Sequence, residues 1–224
     1  MEIKKTDIMS FLEPEETGFI YDTARSFLKR HSNPESLMAQ LKSLVARGQL
    51  SACRDMIQLI IREGHSLGDS SEIYLLRAQI AFEQSGSKGD VMTWVQQAKM
   101  ANPKCEKLQS WETLIEGVNC LDEGDYQKGE TLLKTLSDNE EVAGLAQYQL
   151  AHHYFWRNID GELSMAMLED LCMNRPEFTK AWSCLGFVYN RLGMKDKAQE
   201  AFGLCLENET NPEKIAFYKQ QLAS

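Results

Sequence analysis

The chain has 224 residues, 43% of them apolar, enough to bury one compact core or one repeat array. Its 33 acidic against 24 basic residues give a net charge of −9 with no Lys/Arg cluster, so no nucleic-acid partner is expected. No run approaches the ~18 uncharged apolar residues of a membrane span, and the opening Met1-Glu2-Ile3-Lys4-Lys5-Thr6-Asp7 lacks the apolar core of a secretory signal, so no membrane insertion and a cytoplasmic location are expected.

Residues 1–34 match no repeat, but after the acidic Glu13-Pro14-Glu15-Glu16 the residues Phe19, Ile20, Ala24, Phe27 and Leu28 form an amphipathic stripe. This predicts an N-terminal capping or docking helix. Over 35–208 the apolar residues recur at three- and four-residue spacing. Gly48, Gly86, Gly124 and Gly193 stand between such segments, where a glycine lets a helix stop and the chain turn back. Antiparallel helix pairs follow.

The first and weakest unit is Leu37, Leu41, Leu44, Gly48, Cys53, Ile57 and Ile60. A second carries Leu75, Ala78, Phe82, Gly86, Val95, Ala98 and Pro103. The third, displaced by a few residues around Lys104 to Lys107, has Gly117, Cys120, Gly124-Asp125-Tyr126, Gly129, Leu133 and Leu136. Tyr148, Ala151, His152, Phe155, Leu168, Leu171 and Pro176 mark the fourth, and the fifth begins 34 residues further on at Trp182. A closing helix over 209–224 is read from Pro212, Ile215, Ala216, Tyr218, Lys219 and Leu222, because the last pair of an array otherwise exposes an apolar flank.

In the fifth unit, Trp182-x2-Leu185-Gly186-x2-Tyr189 followed by Ala198-x3-Phe202 resembles the tetratricopeptide (TPR) signature residue for residue. That resemblance implies an all-α, right-handed solenoid of about five helix pairs, with the N-terminal helix docked near the concave face and the C-terminal helix as a cap. It also implies a non-catalytic protein–protein interaction module, an adaptor or scaffold. One departure is His152, which stands where Gly or Ala lets the helices touch and is expected to widen that pair.

In TPR proteins the first helix of each pair lines the concave side. Registering the units by that rule gives an expected partner-binding groove of Ile73, Leu76, Ile80, Trp111, Leu114, Val118, Leu121, His153, Trp156, Phe187 and Asn190. Met38, Lys42, Val45, Glu83, Gln149, Lys180 and Ser183 share the face. Its apolar middle suits a helical or extended apolar segment of a partner polypeptide. Residues 7–31, or a second copy in a homodimer, are the alternative covers, and ordinary core packing is the plain one. The carboxylate-clamp subtype is not expected, because Val118, His153 and Phe187 occupy the slot that its Asn would fill. The apolar groove and acidic exterior also resemble the TPR chaperones of bacterial export systems, so a chaperone for a secreted or membrane-destined cargo is the alternative function.

Nothing in the sequence writes a catalytic or metal site. Cys53, Cys105, Cys120, Cys172, Cys184 and Cys205 contain no CxxC, and Cys53, Cys120 and Cys205 fall in slots for small core residues. His152 and His153 point about 100° apart on a helix, which does not suit one metal. His31 and His65 stand alone, and Gly86-Ser87-Lys88-Gly89 lacks the strand that a phosphate loop requires. No enzyme and no cofactor are expected, although His153 in the groove would make partner affinity pH-sensitive.

Overall fold

The computed structural model describes residues 33–63, 69–84, 88–207, 209 and 212–223. The expected N-terminal helix, His31, His65 and Gly86 lie outside the described residues. Eleven helices occupy the described chain: α1 (Pro34–Ala46), α2 (Leu50–Glu63), α3 (Ser70–Gln84), α4 (Lys88–Ala101), α5 (Leu108–Glu123), α6 (Tyr126–Lys134), α7 (Ala143–Trp156), α8 (Gly161–Asn174), α9 (Thr179–Arg191), α10 (Lys195–Glu207) and α11 (Pro212–Leu222). The first ten form five consecutive pairs, and α11 packs on α10 as the expected closing helix.

Helix starts follow local chemistry. Asn33 Oδ1 accepts from the Glu35 amide at 3.0 Å with Pro34 at the first helical position. Asp160 Oδ1 accepts from the Leu163 amide at 2.8 Å ahead of α8. The turns inside the first, third and fifth pairs use Gly48 (φ 70), Gly124 (φ 92) and Gly193 (φ 77), and the fourth uses Asn158 (φ 55).

Close approach within a pair is bought by small residues. A Cβ on Gly129 would lie 2.9 Å from the Gly117 carbonyl oxygen, and one on Gly186 would lie 2.7 Å from carbons of the Phe202 ring. In the fourth pair Ser164 Oγ donates to the Ala151 carbonyl at 2.7 Å. The expected widening by His152 is therefore not found at that point. Ala151, one residue before His152, makes the approach.

Two apolar cores share α3 as a wall. Ile73, Leu76 and Ile80 pack with α1 and α2, whereas Leu75, Ala78, Ala81 and Phe82 join the continuous core that runs to Tyr218. Five of the six thiols are buried, with Cys105 half-exposed. Burial pushes the Cys53, Cys184 and Cys205 thiols up to about 12, which holds them as neutral packing groups.

Candidate functional site: the concave face

The expected concave face draws on the first helices of successive pairs, α1, α3, α5, α7 and α9. Its anticipated apolar row is for the most part packed. Ile73, Leu76, Ile80, Trp111, Leu114, Val118, Leu121 and His153 are all buried. Ile73, Leu76 and Ile80 pack into the core with α1 and α2, and Trp111, Leu114, Val118 and Leu121 into the main core, so the reading of an exposed row along α3 and α5 is corrected to core.

His153 needs a further correction. It does not face the groove but turns to α6, with its ring 5.1 Å from that of Tyr126 and Nε2 3.7 Å from Glu130 Oε1. Burial holds its pKa below the ordinary imidazole value, against the pull of the Glu130 carboxylate. One residue back, 100° around the helix, His152 packs along its own helix instead. Its ring lies 5.7 Å from Tyr148 and 5.9 Å from Trp156. Burial, with the Lys180 charge added, pushes His152 down to about 4, so it is neutral near pH 7 and the expected pH-sensing role does not pass to it.

The predicted residues that do reach solvent gather at the C-terminal end of the face. Trp156 is 53% exposed, Phe187 is half-buried and Asn190 is exposed. Phe217 of α11, 38% exposed, completes a run of rings: Trp156 to Phe187 is 6.1 Å and Phe187 to Phe217 is 5.9 Å between centroids. The Arg191 guanidinium lies 3.8 Å over the Phe155 ring and donates to the Phe155 carbonyl at 2.7 Å, which braces the α7 end behind Trp156. Phe217 was missed from sequence because the closing helix was read only for its cap role. An aromatic beside the buried Tyr218 was the available signal.

This helix-pair geometry is shared with a solved tetratricopeptide repeat protein from Parabacteroides merdae ATCC 43184, with TM-score 0.50 and 14% identity over 91% of this chain and 77% of that one. The chain has the tetratricopeptide-repeat fold. MamA protein (TM-score 0.40, 17% identity, 84% of this chain and 96% of that one) and the P58(IPK) TPR domain (0.39, 12%, 98% and 64%) were also found. At such identities the likeness is one of fold. No protein-family profile matches the chain, and no curated protein matches its sequence.

Within the TPR array the signature residues behave as packing requires. Leu185, Ala198 and Phe202 are buried. Trp182 Nε1 donates to the Pro176 carbonyl at 2.9 Å, and the Tyr189 hydroxyl donates to Glu169 Oε1 at 2.7 Å. The last turn of α3 is bonded directly to the C-terminal part of the chain. Lys180 Nζ donates to the Phe82 carbonyl at 3.1 Å, Lys214 Nζ to the Gln84 carbonyl at 2.9 Å, and Arg175 Nη2 to Glu83 Oε1 at 2.7 Å.

Lys180 also stands 5.0 Å from the Phe82 ring and 5.3 Å from the Tyr148 ring. Burial and then the Lys214 charge push it down to about 8 despite Glu83. Beside this closure a small apolar recess is lined by Phe82, Val91, Leu114, Val118 and Gln149. Among the described residues no three His, Cys, Asp or Glu side chains stand together to hold a metal, and no helix is long and apolar enough to cross a membrane.

Proposed function

We propose that this TPR array is a non-catalytic adaptor that takes an apolar segment of a partner polypeptide on the C-terminal end of its concave face. The observation that carries this reading is the run of rings Trp156, Phe187 and Phe217, two exposed and the middle one half-buried, contributed by three different helices. Exposed aromatics in a contiguous patch mark interaction surfaces, because their apolar area is large and they give up little conformational freedom on binding. Asn190, exposed on the same helix as Phe187, supplies an amide donor and acceptor for a partner backbone.

The test is capture of partners from native extract, followed by titration of the purified partner against wild type, Trp156→Glu and Phe217→Glu. At least tenfold weaker binding by both variants, with unchanged helical circular dichroism, supports the reading. Equal binding by all three proteins removes it. A dimeric mass in light scattering that becomes monomeric in both variants would instead assign the patch to a homodimer.

A further inference from the structure

The last turn of α3 is where the array meets itself. The last four carbonyls of a helix lack intrahelical donors and carry its negative end, so they attract cations. Here Phe82 and Gln84 offer two of those carbonyls, and Glu83 adds a carboxylate. Three cations answer them from three places in the C-terminal half: Lys180 from the first turn of α9, Lys214 from the first turn of α11, and Arg175 from the connection before α9. Glu177 of that same connection packs on Gly48 between α1 and α2, where an added Cβ would lie 3.3 Å from Glu177 Cβ.

We propose that this joint is a reversible clasp: closed, it holds the first two helix pairs against the last two; released, it parts them and lengthens the open concave face.

Three observations support release without unfolding. The three cation bonds across the joint end on carbonyl and carboxylate oxygens, groups that water can serve once they part. Glu83 Oε2 is buried with no hydrogen-bond partner among the described residues, so the closed joint is incompletely satisfied. α3 also has apolar packing on its α1 and α2 side, through Ile73, Leu76 and Ile80, that does not involve the joint. Among the apolar contacts at the joint is the edge of Phe82 against Tyr148 at 6.2 Å, beside the recess that Phe82 helps to line.

The link to binding rests on the adaptor reading, but the clasp is measured without any partner. Spin labels are placed at Ala46→Cys and Met173→Cys, two exposed positions flanking the Gly48 to Glu177 approach, in a Cys105→Ser background. Wild type is expected to give one short distance by pulsed electron resonance. Glu83→Gln/Lys214→Ala is expected to add a longer-distance population, while Lys99→Ala, which breaks an exposed pair with Glu112 elsewhere, leaves the distribution unchanged.

An unchanged distribution in a helical Glu83→Gln/Lys214→Ala protein overturns the clasp. If that variant loses its helical dichroism, Lys214→Ala alone decides: its side chain is 45% exposed, the truncation leaves the apolar core intact, and the longer population either appears or the clasp is rejected. Loss of partner binding with Trp156→Glu leaves this result untouched, so the two readings fail separately.

Discussion

Glu83 and Arg175 stand 92 residues apart in the sequence and 2.7 Å apart in space, joining the second helix pair to the connection between the fourth and fifth. Gln79 Nε2 donates to the same Glu83 oxygen at 2.9 Å, and Arg175 Nε donates to Glu177 at 3.1 Å, so the pair is the centre of a four-residue network. The nearby Glu83 and Glu177 carboxylates hold the guanidinium pKa above its ordinary value against the cost of burial.

Removing one partner of a buried ion pair strands the other charge and typically costs ~3–5 kcal/mol. Because Arg175 keeps Glu177, Glu83→Ala is expected to lose about 2–3 kcal/mol, read from the urea midpoint at constant slope. Glu83→Ala/Arg175→Met is expected to recover most of that loss.

Gly186 is required for contact with Phe202. Gly186→Ala forces the Phe202 ring or the helices to shift, with an expected cost of ~1–3 kcal/mol, or a fall in Tm of roughly 2–4 °C per kcal/mol. Phe202→Leu in the same background is expected to restore part of the Tm, because the atoms that clash belong to the ring.

His152 makes stability fall in acid. Its folded pKa of about 4 lies below the ordinary value of 6.5, so between those values the unfolded chain binds the proton more readily. The contribution is fully present above pH 6.5 and is lost as pH falls toward 4, by up to about 3 kcal/mol at about 1.4 kcal/mol per pKa unit. His152→Gln is expected to flatten that part of the stability profile, measured by denaturant melts at pH 7, 5.5 and 4.5.

Trp156 is the tryptophan most open to solvent, whereas Trp111 is 1% exposed. Trp156→Phe is therefore expected to remove most of the acrylamide-quenchable fluorescence while changing stability by less than about 1 kcal/mol. Equal quenching in the variant would place the exposed ring elsewhere.

The helix pairs, their turns and the closing helix were legible from the chain because they are set by near neighbours: 3.6-residue periodicity, Gly48, Gly124 and Gly193 at left-handed turns, and the Trp182 to Phe202 signature. Periodicity marks which residues are apolar and on one face, but not what lies opposite that face. Burial of Ile73, Leu114 and Val118 depends on which helices pack against α3 and α5, and the rotation of His153 toward Glu130 is a single 100° step that spacing alone does not resolve. The meeting of Arg175, Lys180 and Lys214 with the end of α3 arises from small angular offsets summed over several pairs. The sequence by itself determined the repeats and their local packing; only the tertiary structure decided where the array turns back on itself, which side chains that closure covers, and that Trp156, Phe187 and Phe217 remain at the surface.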